Sequence, residues 1–248
     1  MSVSFLKRLK TYSSEQKKIS PFVVDVHSHI LPGLDNGSES IDDTVSLLRE
    51  MSADGVKKVI ATPHIMGDFY TNTTETIGKV RDKVLSEVFK KNIPISIEIA
   101  AEYFLDVSFV ALIESNKPLL TFGAKYLLFE TTMIGLPSFL EDATKRIQEK
   151  DLKPVMAHPE RYYYLQQNYE LAHQLHESGI LFQINTTSLQ SQHLPTRSLA
   201  EYLISENLTD FMGSNTHNRR DWAISKVAVQ SKYYALAMEK GLLNQELL

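Results

Sequence analysis

The sequence contains no cysteine, and this absence excludes several kinds of chemistry at once. Disulfide scaffolds, thiolate zinc sites and cysteine nucleophiles all require a residue that the chain does not have. Any reaction must therefore use imidazole, carboxylate, amide or hydroxyl groups, or a bound metal ion.

An excess of positive charge and a long apolar run are missing as well. The 248 residues carry a formal net charge of -4, whereas proteins that neutralise nucleic-acid phosphates have a basic excess, so no nucleic-acid partner is expected. No apolar run approaches the roughly 18 residues that span a membrane. The N-terminus lacks the apolar core and cleavage site of a signal peptide. We therefore expect a cytoplasmic protein.

Residues 1–20 differ in composition from the rest of the chain and are interpreted as a basic N-terminal extension. Five cations there face a single acid, Glu15. A solvated or capping segment is one interpretation, and peripheral contact with a membrane surface or a partner is the other. Residues 21–248 have the length of one α/β barrel and are expected to form a single domain. The five cations are Lys7, Arg8, Lys10, Lys17 and Lys18.

Short β-rich runs alternate with longer helical patterns along this domain. Within residues 40–55, for example, Val45, Leu48 and Met51 recur at helical spacing, and Gly55 follows where a C-cap belongs. Such alternation predicts βαβ units around a parallel sheet, and seven units favour an α/β TIM-like barrel over a doubly wound open sheet. Helices are also expected over 136–151 and 168–179. The predicted strands are 22–26, 57–62, 94–100, 126–130, 153–158, 180–185 and 209–214.

Each predicted strand ends at, or leads into, a polar side chain that can bind metal or phosphate. The carboxyl ends of barrel strands converge on one face, where active sites are built. Seven ionisable groups gathered there would suffer a large desolvation cost without cations. We therefore predict two or three divalent ions, with Zn, Mn or Fe all suited to imidazole and carboxylate ligands. Such sites activate water and hold phosphoryl oxygens. The polar side chains are His27, His29, His64, Glu102, Glu130, His158, Asn185, Asn215 and His217.

The motifs HSHILPG, ATPH, AEYFLD, LLFE, AHPERY and GS-x-x-HN, in this order, resemble the PHP-superfamily phosphatases of the capsular polysaccharide biosynthesis (CpsB/CapC-like) family. The resemblance implies a manganese-dependent protein-tyrosine phosphatase that acts on a bacterial tyrosine autokinase, with a distorted (β/α)7 barrel. It also implies that Arg161 grips the substrate phosphate, for which the fork-like donors of guanidinium are suited. The metal ligands that it implies are His27, His29, His64, Glu102, Glu130, His158 and His217.

Two positions depart from the family pattern, and both carry Asn where the pattern has Asp. Residues 35–37 read DNG where the family has D-D-G, and residues 214–217 read SNTH where it has S-D-x-H. The resemblance gives the first position a role in proton transfer and the second a direct metal bond. Asn keeps a carbonyl oxygen but has no charge and cannot act as a base. We therefore expect catalytic roles for Asp35 and Asn36, weakened metal binding through Asn215, and attenuated activity.

Three further side chains are expected to contact the substrate phosphate or the peptide around it: Tyr162, Arg219 and Arg220. Three functions remain open from the sequence. The first is hydrolysis of phosphotyrosine on a protein, and the second is hydrolysis of a small phosphate ester such as histidinol phosphate. The third is a metal-binding pseudoenzyme that captures phosphotyrosine without hydrolysing it.

Overall fold

The structure is a computed structural model that describes residues 23–115 and 117–248. The basic extension of residues 1–20, and with it the predicted membrane or partner contact, lies outside these residues. Within the described ranges, no helix combines the length and the apolar character that crossing a membrane requires.

Strands and helices alternate along the described residues, and all seven predicted strands are present. The N-cap side chains explain several helix starts: Ser40, Asp106 and Asn218 each accept a backbone N–H from the first turn that follows. The elements are β1 (Val24–Ser28), α1 (Ile41–Ala53), β2 (Lys58–Ala61), β3 (His64–Ile65), α2 (Thr74–Lys90), β4 (Ser96–Ile99), β5 (Glu102–Phe104), α3 (Val107–Glu114), β6 (Tyr126–Glu130), α4 (Leu140–Gln148), β7 (Lys153–Ala157), α5 (Tyr163–Gln166), α6 (Tyr169–Glu177), β8 (Leu181–Asn185), α7 (Leu194–Ser205), β9 (Phe211–Gly213), α8 (Arg219–Ala228) and α9 (Lys232–Lys240).

The strands form two parallel sheets, which confirms the predicted α/β class. One sheet has the order β1-β2-β4 and the other the order β3-β5-β6-β7-β8-β9. Every pairing between these strands is parallel, as βαβ connections require.

The two sheets meet at an interruption that the sequence did not predict. His64 and Glu102 were expected at the ends of strands, but each begins a second short strand, β3 or β5. Pro63, which has no N–H to donate, separates β2 from β3. Hydrogen bonds nevertheless continue across the interruption, from Ala100 N to Ala61 O (2.9 Å) and from Glu102 N to Pro63 O (3.2 Å).

The residues of β1 also meet the segment that follows β9. Asn215 N donates to His27 O and His29 N donates to Thr216 O, both at 2.8 Å. At the other end of these strands the buried Asn244 side chain donates to Val24 O (2.9 Å) and Met212 O (2.7 Å) and accepts from Met212 N (3.0 Å). We call this set of contacts the β1–β9 seam. It brings the first and last strands of the described chain side by side.

Apolar side chains divide between two buried clusters. The larger cluster joins apolar residues of the helices to apolar residues of the strands. The smaller joins alternate residues of several strands, including Val24 and Val26 of β1, Leu128 of β6 and Val155 of β7. This smaller cluster consists mainly of strand residues. The polar residues near the carboxyl ends of the strands therefore lie next to an apolar cluster.

Candidate metal centre

Two imidazole rings lie on the same face at the end of strand β1. His27 and His29 are separated by one residue, so both rings point the same way from an extended backbone. Both are buried, and their Nε2 atoms lie 3.2 Å apart. Two ring nitrogens at this separation can bind one metal ion together when neither of them carries a proton.

The turn after β1 places a carboxylate, that of Asp35, on the Nδ1 side of the His29 ring. Asp35 Oδ2 lies 2.7 Å from His29 Nδ1 and 3.0 Å from His64 Nδ1, and it also accepts the His64 N–H at 3.0 Å. Burial alone would raise the pKa of Asp35, but the hydrogen bonds with His29 and His64 outweigh it and lower the pKa below its usual range. The turn needs glycine at Gly37, where a Cβ would collide with the His29 carbonyl oxygen.

Glu102 lies at the centre of the cluster. Its Oε2 is 3.2 Å from His27 Nε2 and 3.3 Å from the Nε2 atoms of His29 and His64, while its Oε1 is 2.9 Å from His158 Nε2. Burial would raise the pKa of Glu102, but the imidazoles, His27 foremost, hold it well below its usual range. Glu102 is therefore a carboxylate at the meeting point of four ring nitrogens.

A second acid, Glu130, lies beside this centre. Its carboxylate oxygens are 3.5 Å from His64 Nε2 and 3.8 Å from His158 Nε2. Burial, followed by the charge of Glu102, raises the pKa of Glu130 to about 8. Two nearly buried acids that repel each other are an arrangement that a bound cation would relieve.

His158 and His217 complete the ring of imidazoles. His158 has a left-handed backbone (φ 36°), and His217 stacks on His29 with ring centroids 4.1 Å apart. Burial is the main cause that lowers the pKa of each to about 3, with a further contribution from Arg161 for His158 and from His29 for His217. Both rings are thus held neutral, which is the form that ligates metals.

The tautomers of four histidines are set by acceptors behind them. His27 Nδ1 lies 2.6 Å from Gln183 Oε1, and His217 Nδ1 lies 2.9 Å from Asn215 O. His29 and His64 use Asp35 in the same way. When Nδ1 donates to such an acceptor, Nε2 carries the free lone pair and faces the cluster.

The residues present fit divalent ions. Two sets of three ligand atoms lie within 4.8 Å of one another: His27, Glu102 and His158 form one set, and His29, His64 and Glu102 form the other. Glu102 belongs to both. Among the described residues, Asn215 Oδ1 and His158 Nδ1 are buried polar atoms for which no hydrogen-bond partner is found. Imidazole nitrogen with carboxylate and amide oxygen is a donor set for Zn, Mn or Fe.

Arg161 lines a cavity of about 630 Å³ together with Asn215 and His217. It ends the 3-10 turn Pro159–Arg161 that follows β7. The cavity continues along the 3-10 turn Thr186–Gln190 and the start of α7. Arg161 also lies within electrostatic range of the cluster, because its charge acts to lower the pKa of Glu130 and of His158.

The prediction that Tyr162 contacts the substrate is wrong. Its side chain is fully buried, and its hydroxyl donates to Ala157 O (2.9 Å) and accepts from Thr131 N (3.1 Å). Tyr163, the next residue, is the one that lines the cavity and is 49% exposed.

Three other predicted site residues lie around a second cavity of about 450 Å³, which meets the first only at His217. Asn36 is exposed there, outside both sets of metal-binding atoms. Arg219 is also exposed and is 3.0 Å from Glu50, with which it forms an ion pair. The three residues around this second cavity are Asn36, Arg219 and Arg220.

Two residues of the site were missed from the sequence. Gln183 supports His27, and Glu160, fully buried, accepts from Asn185 N (3.0 Å) and Ser188 Oγ (2.7 Å). For Gln183 a signal existed: it precedes Asn185 by two residues on β8 and so shares its face. For Glu160 no signal existed, because its partners come from another βα segment.

The fold and the cluster together define a parallel α/β protein with a histidine- and carboxylate-rich centre near its strand ends. The family model described as "Capsular polysaccharide synthesis, CpsB/CapC" matches residues 23–239, and the chain belongs to this family. The resemblance found in the motifs is thereby confirmed.

Relatives and solved structures agree with this assignment. The tyrosine-protein phosphatase YwqE of Bacillus subtilis is 30% identical over 228 residues, which cover 88% of this chain and 85% of YwqE. A chain from the crystal structures of YwqE and of CpsB from Streptococcus pneumoniae, described as unique metal-dependent tyrosine phosphatases, superposes with a TM-score of 0.72 at 27% identity, covering 91% of this chain and 95% of that one. Histidinol phosphate phosphatase from Lactococcus lactis shares the fold alone, with a TM-score of 0.57 at 16% identity and coverage of 90% and 95%.

Proposed function

We propose that this protein is a metal-dependent protein-tyrosine phosphatase. The observation that carries the proposal is the joint placement of two ligand sets around Glu102 and of Arg161 at the cavity beside them. The names of its relatives support the reaction, and the absence of cysteine leaves no thiolate route.

The metal centre would hold two or three divalent ions, with manganese favoured. Glu102 would be shared between ions, and Glu130, Asn215 and His217 would supply further oxygen and nitrogen ligands. When bound, such ions activate water and neutralise the charge of phosphoryl oxygens. Asp35 acts behind the centre as a positioning residue, because its carboxylate faces the Nδ1 side of His29 and His64.

Arg161 binds the phosphoryl group of the substrate. Among the described residues it forms no ion pair, so its donors are available to an incoming anion. A guanidinium group keeps its charge at every working pH, and charge that builds up on phosphoryl oxygens strengthens its hydrogen bonds.

The fold supports a distorted (β/α)7 barrel formed by one domain of residues 21–248. If β2 continues into β3 and β4 into β5, the strands number seven, and the β1–β9 seam closes the ring. The apolar cluster among the strands would then be the barrel interior, with the metal centre above it.

The physiological substrate in this proposal is phosphotyrosine on a cytoplasmic segment of a bacterial tyrosine autokinase that controls capsule or exopolysaccharide synthesis. The family description, which concerns capsular polysaccharide synthesis, supports this assignment. The protein itself would act in the cytoplasm.

The test combines elemental analysis of the purified protein with a phosphatase assay on a phosphotyrosine peptide. We expect bound divalent metal, release of phosphate, loss of activity on exhaustive chelation and recovery with added Mn. The same assay with histidinol phosphate as substrate distinguishes hydrolysis of phosphotyrosine from hydrolysis of a small phosphate ester. Turnover that survives complete removal of metal would contradict the proposal.

A metal-binding protein that captures phosphotyrosine without hydrolysing it is the second candidate, and Asn at positions 36 and 215 favours it. In that case the peptide would bind to the metal-loaded protein while phosphate release stayed at background. Equilibrium binding and turnover measured on one preparation distinguish the two.

A further inference from the structure

The cavity beside Arg161 extends well beyond the place of a phosphoryl group. Its volume is about 630 Å³, and Arg161, Asn215 and His217 are among the residues that line it. The rest of the lining comes from the segments after β6, β7 and β8 and from α8. A substrate that filled it would carry a large group attached to the phosphate.

One wall of this cavity is apolar and aromatic. Met133, Tyr163 and Ile224 contribute it, and Tyr163 meets the His193 ring edge to face with centroids 6.3 Å apart. Tyr163 N donates to Met133 O at 2.9 Å, which fixes the segment after β7 against the segment after β6. An aromatic ring placed here would stack or pack edge to face on Tyr163.

Another part of the lining is polar but uncharged. It consists of amides and hydroxyls between residues 185 and 192, among them Thr187, Gln190 and Gln192. The buried Glu160 carboxylate holds this segment in place through Asn185 N and Ser188 Oγ. Uncharged donors and acceptors of this kind match the N–H and C=O groups of an extended peptide.

Charge is scarce around the cavity. Of the described residues that line it, only Arg161 and Asp221 are charged acids or bases other than histidine, and Asp221 already accepts the His217 N–H at 3.0 Å. Acidic residues on both sides of the phosphorylated residue would therefore not increase the affinity of a substrate for this cavity.

We propose that Tyr163 is the specificity-determining residue of this cavity, and that the cavity favours phosphotyrosine within an uncharged stretch of peptide. The phosphoryl group meets Arg161, the aryl ring packs against Tyr163 and Met133, and the flanking backbone lies along residues 187–192. This inference rests on the proposed function and adds to it a specificity-determining residue and a preference for uncharged residues around the phosphotyrosine.

Steady-state kinetics of the metal-loaded protein test the inference on three probes. The first is a phosphotyrosine peptide flanked by Ala, Gly and Gln; the second has phosphoserine in the same sequence; the third has phosphotyrosine flanked by Glu. We expect Tyr163→Ala to raise KM for the first probe about tenfold, in line with loss of an aromatic contact, with kcat and metal content little changed.

Two variants serve as controls. Tyr163→Phe keeps the ring and should keep the KM of the natural protein. Phe89→Ala removes an aromatic side chain that is 84% exposed on α2, away from the cavity, and should leave all three probes unaffected.

The natural protein should prefer the first probe to the second and should gain nothing from acidic flanks. The inference is overturned if Tyr163→Ala and Phe89→Ala have the same KM for the first probe, or if acidic flanks lower KM tenfold. Both of these outcomes leave the phosphatase proposal intact. Absence of turnover on every phosphotyrosine probe with metal bound would instead refute the proposed function.

Discussion

A single carboxylate oxygen orients two imidazoles of the metal centre. Asp35 Oδ2 faces Nδ1 of both His29 and His64, so its charge supports two candidate ligands at once. Residues in this supporting position affect metal binding although they do not touch the ion.

Replacing Asp35 by Asn should therefore weaken metal binding roughly 10- to 100-fold. The amide has no charge to support the two imidazoles, and if its oxygen takes the place of Oδ2, its NH2 group faces the Gly37 N–H that now donates to Oδ1. Titration of the metal-free protein with Mn, followed by calorimetry, measures the change. Asp68→Asn, at an exposed loop position, is the matched control. Equal affinities in the two variants would contradict the supporting role.

The two Asn residues that depart from the family pattern should respond differently to restoration of Asp. Asn215 has a buried Oδ1 beside the metal centre, whereas Asn36 is exposed outside it. We expect Asn215→Asp to tighten metal binding by about tenfold, since one added ligand charge favours the bound cation. Asn36→Asp should change affinity by less than about twofold. Metal titration and kcat for both variants check this, and a larger gain from Asn36→Asp would reverse the interpretation.

The sequence identified most of the centre but not the orientation of its parts. His27, His29 and Glu102 could be found because ligand-type side chains recur near the ends of β-rich runs. The sequence does not show which of the three consecutive tyrosines at 162–164 is buried and which lines the cavity. That division depends on how the chain enters α5. Tyr162 is the inward one, since its hydroxyl reaches backbone groups of two other segments.

At the level of elements, the helix caps link secondary structure to the site. Asn218 accepts the backbone N–H groups of Arg220 (2.9 Å) and Asp221 (3.2 Å), and so begins α8 directly after His217. The start of this helix also sets the Asp221 carboxylate against the His217 N–H.

Asn218→Ala should lower the free energy of unfolding by about 1 kcal/mol, the usual value of an N-cap side chain. Thermal unfolding of the metal-free protein measures the loss without a contribution from bound ions. Asn218→Asp, which retains a capping oxygen, is the control and should stay close to the natural protein. A loss in the Asp variant as large as in the Ala variant would show that capping is not the cause.

Element boundaries were predicted where local signals are strong. The run YLLFE matches β6 residue for residue, because a short apolar strand is bounded by clear turns. The predicted helix over 136–151 begins only at Leu140, after Pro137. The short strands β3 and β5, which lie just beyond the predicted strands 57–62 and 94–100, were missed, since they depend on how neighbouring strands pair and not on either sequence alone.

At the scale of the whole molecule, one amide side chain, that of Asn244, supports one end of the β1–β9 seam. Asn244 makes three hydrogen bonds to backbone groups of Val24 and Met212, all buried. No local pattern reveals such a residue, because its partners are distant in the chain.

Asn244→Ala should lower the free energy of unfolding by about 2–4 kcal/mol, since it leaves buried backbone groups without partners. Denaturant titration measures the loss, and Gln245→Ala at the neighbouring exposed position should have little effect. Equal midpoints for the two variants would exclude a structural role for Asn244.

The same seam has a consequence for the order of folding. Asn244 and Val24 are 220 residues apart, whereas the strands that pair elsewhere are separated by only one or two α-helices. Contacts between distant parts of a chain form slowly, so β1 and β9 should meet after the intervening units have assembled. His27 and His29 lie on one side of that junction and Asn215 and His217 on the other. A refolding chain would therefore regain its helices before it regains its full capacity to capture metal.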